Sequence, residues 1–241
     1  MPKKDEITVS RGEVAEVEAP SEIDVKARQF VDTYVDCLKE YTQAYKHRMV
    51  QAQAQAKAKP EAAPFLAGGY QYLNCLTVGP IQFHADPPYR PSKIIAAGEE
   101  TRMYGVVWIN PVNSPGGGWP GTVVLGGRNY HVRFETVDLS NVTDGPDWEE
   151  NGTFDNPANG IYVFEWRTEE WPDPGPSPRL YETTFTLDIV EAGQPMAAFS
   201  TWHYDIDTEP GFLWAGFMPP IPTAPAHYQF ERPARFLVYR E

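Results

Sequence analysis

Cysteine is nearly missing from this sequence: Cys37 and Cys75 are the only two in 241 residues. Two thiols cannot build a disulfide framework, and these two fall in segments of different character. Free thiols in a reducing compartment are therefore expected. No stretch of roughly 18 apolar residues occurs, so no membrane-spanning helix is expected. The opening Met-Pro-Lys-Lys-Asp-Glu has no apolar run behind it, so no signal peptide is expected either. The cytoplasm, or a particle assembled there, is the expected location. Positive charge is also scarce. There are 20 Lys and Arg against 33 Asp and Glu, a net charge of −13. Nucleic-acid binding is carried by Lys and Arg, so that class is disfavoured, as is an anionic membrane surface.

Catalytic motifs are the last shortage. Gly116-Gly117-Gly118 has no Lys-Ser/Thr after it and opens no helix, so it is not a phosphate loop. No Ser-His-Asp arrangement has local support. Asp144–Asp155 crowds carboxylates into one short stretch, as a calcium ion wants, but without the spacing of an EF-hand. A plain acidic turn is the simpler reading. His203 and Asp205 alternate along one run and share a face. They could form a metal or base pair only with a third partner from elsewhere, such as His84, Asp86 or His131. No cofactor is expected.

What the chain does contain is a long helix followed by strands. Residues 1–20 are polar and acidic and read as a disordered or extended arm. Residues 21–59 read as one long helix. Ser21 is a good N-cap, and Asp24 stands where a capping-box acid would. No Gly or Pro intervenes before Pro60. Val31, Tyr34, Leu38, Tyr41 and Tyr45 recur at alternating steps of three and four, and Val35, Thr42 and Met49 widen the stripe. That spacing makes the seam of a helix pair or coiled coil. Some 38 residues at ~1.5 Å each give roughly 57 Å, longer than a domain of this size is wide. A partner helix or a second copy is expected to cover part of the stripe. The charge is uneven along the chain: residues 22–59 carry +2 and residues 60–241 carry −13.

Residues 60–69 read as a linker, and 70–241 as one mainly β domain rich in turns, in keeping with 24 Pro and 19 Gly. Expected strands are Tyr70–Phe83, Lys93–Ala97, Arg102–Ile109, Thr122–Leu125, Asn129–Val137, Ile161–Arg167, Leu180–Val190, Met196–Ile206 and Arg235–Tyr239. Arg102–Ile109 is apolar on both faces, with Met103, Val107 and Ile109 on one and Tyr104, Val106 and Trp108 on the other. Such a strand is covered from both sides. Tyr181–Val190 instead alternates, with Phe185, Leu187 and Ile189 on one face and Thr184, Thr186 and Asp188 on the other, and a mix of one-sided and two-sided strands without intervening helices predicts an antiparallel β-sandwich. The stretch Pro91–Glu100, followed by an alternating strand ending Ile109-Asn110-Pro111, resembles the opening of immunoglobulin-like modules. That resemblance implies an immunoglobulin-like sandwich; a jelly roll is the alternative.

Three loops stand out: a Gly-rich one ending near Trp119, a Pro-rich one at Trp171–Pro178, and an apolar, Pro-rich arm at Glu209–Ala226. Phe212, Trp214 and Phe217 of that arm cannot pair in a sheet among so many prolines, and are expected to dock on the domain's own edge or on a neighbour. The functional expectation is a structural or interaction protein that self-associates, or binds another protein, through its helix and this arm. The expected contact residues are Val31, Tyr34, Leu38, Tyr41, Tyr45, Phe212, Trp214 and Phe217. The second expectation is a carbohydrate-binding module stacking a glycan on Trp119, Trp148 or Trp171. The third is a metal-dependent enzyme using His203 and Asp205.

Overall fold

The computed structural model describes residues 21–58, 73–82, 94–113, 119–155, 160–168, 171–189, 196–199 and 234–240. One long helix, α1 (Glu22–Ala58), precedes the strands β1 (Leu73–Ile81), β2 (Ile94–Ala96) and β3 (Thr101–Ile109). A one-turn helix, α2 (Gly121–Leu125), leads to β4 (Asn129–Asp138), β5 (Thr143–Asp144) and β6 (Trp148–Thr153). Then come β7 (Ile161–Thr168), β8 (Arg179–Ile189), β9 (Met196–Phe199) and β10 (Ala234–Tyr239).

The strands form two sheets. The smaller has the order β1-β3-β7, and the larger runs β2-β10-β8-β4-β5, with β6 also on β4 and β9 also on β8. All pairings are antiparallel except β2 with β10. Lettered as an immunoglobulin-like chain, with β1 and β2 as two parts of strand A, the sheets read A-B-E and A′-G-F-C-C′. This is the immunoglobulin-like order. A jelly roll is not formed.

The inner faces of the two sheets meet in an aromatic core. Phe134 lies 4.9 Å from Phe185 and 5.5 Å from Trp166, centroid to centroid, and Trp171 lies 4.9 Å from Phe236. Ring pairs at these separations add to the area they bury. The Phe185 ring of β8 covers Gly105 of β3 and leaves no room there for a side chain. In antibody domains the corresponding strands are joined by a disulfide. Here a ring lies over bare backbone instead.

Two expectations are corrected. Thr122–Leu125 is helical. The N–H groups of Val123 and Val124 both donate to the Pro120 carbonyl, at 3.0 and 3.1 Å. Only Leu125 of the apolar run is fully buried, while Val123 faces out. So short an apolar run carries no period that separates helix from strand. The acidic stretch Asp144–Asp155, read as a turn, holds the last residue of β5 and all of β6. It pairs along β4 from Phe134–Trp148 to Asn129–Thr153. Trp148 lays its ring 5.7 Å from Phe134. The remaining strands sit within a few residues of their expected ends. Residues 200–206 of the expected Met196–Ile206 strand, and residues 1–20 and 60–69, lie outside the described residues.

Replacing Gly105 with Ala is expected to destabilise the fold by about 1–3 kcal/mol, the usual cost of overpacking. The new methyl would fall inside the Phe185 ring. Urea denaturation of Gly105→Ala alone and with Phe185→Leu checks this. The second change is expected to recover part of the loss, and full stability of the single variant would contradict the packing described.

Candidate functional site

The largest departure from a plain sandwich is α1, so the candidate site is the surface it presents. The smaller sheet is apolar on both sides because each side packs against something. Met103, Val107 and Ile109 point into the sandwich core. Tyr104 and Val106 join Val78 and Val163 on the other face, and Ala27, Val31, Val35 and Leu38 of α1 pack upon them. The helix is therefore the outer cover of the β1-β3-β7 sheet.

Two polar contacts fix its position. The first is at its start. Ser21 N donates to Asp24 Oδ2 at 2.9 Å, and Asp24 N donates to Ser21 Oγ at 3.1 Å. This is a reciprocal capping box, with Asp in place of the commoner Glu. The other oxygen, Asp24 Oδ1, accepts from Arg102 Nη2 at 2.6 Å. Arg102 also donates from Nε to Glu100 at 2.8 Å and from Nη1 to Glu165 at 2.8 Å. Arg167 Nη2 donates to the second oxygen of Glu100 at 2.5 Å. Three carboxylates and two guanidiniums thus tie α1, β3, β7 and the turn before β3 together.

The Arg102 side chain is 4% exposed. Burial works against its charge. Hydrogen bonds to Asp24 and Glu100, with the charges of Glu165 and Glu100, more than offset that, and the guanidinium stays ionised. In return the Arg102 guanidinium holds the Asp24 carboxyl well below the usual carboxylate range. Tyr104 donates to the same Glu165 oxygen at 3.2 Å, and burial together with that carboxylate pushes its hydroxyl pKa up.

The second contact lies further along. Trp108 Nε1 donates to Thr42 Oγ1 at 3.0 Å, and Thr42 Oγ1 donates to the Leu38 carbonyl at 2.7 Å. These two anchors set the direction and reach of the helix. From Asp24 to Thr42 it rises about 27 Å, while from Arg102 to Trp108 the strand advances about 20 Å. Helix and strand run alongside each other in the same sense. Past Trp108 the strand has one residue left, Ile109, whereas α1 continues to Ala58. The last turns of the helix therefore extend roughly 20 Å beyond the end of the sheet at ~1.5 Å per residue.

The contact residues expected from sequence divide accordingly. Val31 and Leu38 are buried against the chain's own sheet. This corrects their assignment to a partner: in this position neither is open to one. The sheet-facing line is Ala27, Val31, Val35, Leu38 and Thr42. The buried line is turned by about 40° from the centre of the expected stripe, toward the side on which Val35 and Thr42 widened it. At 3.6 residues per turn, Tyr34, Tyr41 and Tyr45 fall about 60° to one side of that line on the helix. Their side chains lie outside the described residues, as do Phe212, Trp214 and Phe217.

Of the rings considered for a glycan, Trp171 is buried in the core and Trp148 packs half-buried on Phe134. Trp119 is 70% exposed. His203 and Asp205 lie outside the described residues. His131 Nε2 pairs with Glu149 Oε2 at 3.0 Å on the outer face of the larger sheet. Among the described residues no group of three or more His, Cys, Asp or Glu could hold a metal ion. Cys75 is buried, and burial pushes its thiol pKa up, which makes it unreactive. The sequence reading missed Arg102 altogether. Its one available signal was an arginine placed at the start of an otherwise apolar strand.

Removing one partner of a buried ion pair strands the other. Arg102→Met is therefore expected to cost about 3–5 kcal/mol at neutral pH, read by urea denaturation. Asp24→Asn is expected to cost less and to show its effect through pH. The folded-state pKa of Asp24 is depressed, so its contribution is complete above the ordinary carboxylate range and is lost as pH falls. The stability gap between wild type and Asp24→Asn is expected to hold from pH 8 to about 5 and to narrow below about pH 4. A gap that widens with acid would contradict the assignment.

No family model matches the chain, and no curated protein matches it. Among solved structures it is similar to the CARDB domain of the PF1109 protein from Pyrococcus furiosus, determined in complex with di-metal ions. The identity is 14%, over 56% of this chain and 92% of that one, with a TM-score of 0.27. Likeness at that level adds nothing to the fold, which rests on the strand order above, and nothing to the site.

Proposed function

We propose that this chain is a structural or interaction protein that self-associates, with the end of α1 that reaches past the sheet as its principal contact. The observation that supports the reading is the overhang itself. A helix of 37 residues is pinned to a sheet that spans only its first half. In proteins most helical stability comes from packing an amphipathic face. The overhanging part keeps Tyr45 and Met49 on the side nearest the sheet-facing line. The Pro-rich arm with Phe212, Trp214 and Phe217 is the second contact in this proposal. An oligomer or a filament is the expected product, formed in the cytoplasm or within a particle assembled there.

Light scattering across a concentration series tests it. Wild type is expected to be larger than one chain at micromolar concentration. Tyr45→Asp, placed beyond the sheet, is expected to return it to the monomer with its melting temperature unchanged. A wild-type monomer at the highest attainable concentration would remove the proposal. A carbohydrate-binding reading keeps one supporting observation, the exposed ring of Trp119. A glycan array in which Trp119→Ala loses no signal would remove it.

A further inference from the structure

The outer face of the larger sheet carries an apolar row. Ile94 of β2 stands opposite Leu237 of β10, and Leu237 stands opposite Leu180 of β8. Leu139, just past the end of β4, donates its N–H to the Leu180 carbonyl at 2.8 Å and completes the row. Outward and inward residues alternate along a strand, so these four share one face. Ile94, Leu237 and Leu139 are 58%, 38% and 37% exposed. Val137 lies on the same face one step further in, and Val142, in the turn after β4, is 85% exposed. Of the eight large apolar side chains exposed among the described residues, five lie here. Four strands at about 4.8 Å spacing make the row roughly 14 Å long. Monomers seldom display so concentrated a patch without a use for it.

The chain's own α1 cannot cover this row. That helix is pinned by Arg102 and Trp108 to the other sheet, on the far side of the sandwich. The overhanging end of α1 on another copy matches the row in two ways, length and charge. Tyr45, Met49, Ala52 and Ala56 recur at steps of four, three and four, spanning about 16 Å, close to the length of the row. Residues 43–58 carry Lys46, Arg48 and Lys57 and no acid. The face beside the row presents Asp144 and Glu182, both opposite Val137, with Glu182 also paired to Arg235 at 2.7 Å, within a region, residues 60–241, that carries −13.

We propose that this row is the seat for the overhanging end of α1 from a second copy. The proposal rests on the self-association reading and adds the receiving surface to it. Donor and acceptor are different surfaces, so the contact is heterologous. It leaves a free seat at one end of the assembly and a free helix at the other, and propagates into a ring or a filament.

Two blocked variants test this together. Leu139→Lys with Val142→Lys spoils the seat with like charge and leaves the helix intact. Tyr45→Asp spoils the helix and leaves the seat intact. Each alone is expected to be monomeric, with a melting temperature near that of wild type. Mixed in equal amounts, they are expected to form a pair of twice the monomer mass and to grow no further. A mixture that stays monomeric overturns the seat. If the Lys variant assembles like wild type while Tyr45→Asp does not, self-association stands and this seat is wrong. If wild type is monomeric, both proposals fall. Hydroxyl-radical footprinting of that monomer would then show whether residues 209–226 shield Leu139 and Leu237, which would make the chain's own arm the occupant.

Discussion

One buried cation determines how this molecule is put together. Arg102 sits almost out of water at the start of β3 with carboxylates from three directions. A charge in that position is costly unless it is matched and hydrogen-bonded. Two of its partners, Glu100 and Glu165, come from the β-domain itself. The third is the capping residue of α1. The residue that stops the helix from fraying is therefore also the residue that docks it, and moving the helix away would leave a buried guanidinium short of an acceptor. Hydrophobic contact alone would let a long helix slide along a flat sheet. Arg102 at one end and Trp108 at the other remove that freedom.

With the register fixed, the smaller sheet becomes a shared wall. On one side Phe185 presses onto Gly105 and the two sheets close into a sandwich. On the other, Tyr104, Val106 and Val163 receive Val31, Val35 and Leu38. The Phe185 ring fills the space that a side chain at 105 would need, which accounts for glycine there. The same geometry decides what remains available for contact outside the chain. The first half of α1 is spent on the sheet, and the second half runs beyond it.

The alternation of β3 was fully legible in the sequence. Its two apolar faces announced two covers, and the assignment of Met103, Val107 and Ile109 to one side and Tyr104, Val106 and Trp108 to the other matches the structure. Ser21 and Asp24 were legible too, because a capping box is a local motif. The phase of the helix was not. Large aromatic residues at Tyr34, Tyr41 and Tyr45 drew the expected stripe to one flank, whereas Val35 and Thr42 are among the residues that face the sheet. β6 was hidden because its residues have little strand preference of their own, and the open edge of β4 supplies the pairing. The Arg102 cluster was hidden because its members are far apart in sequence, at 24, 100, 102, 165 and 167, and only the fold brings them together. The outer apolar row was hidden for the same reason: three of its residues come from three different strands and the fourth, Leu139, from the turn after β4.

In the proposed assembly the two halves of α1 have different covers, the chain's own sheet for the first and a second copy for the other. Amide hydrogen exchange read along α1 at several protein concentrations tests that most directly. Residues 27–42 are expected to be protected to the same degree at every concentration, since their cover is intramolecular. Residues 43–58 are expected to exchange freely in dilute solution and to gain protection as concentration rises. Equal and concentration-independent protection along the whole helix would contradict the account.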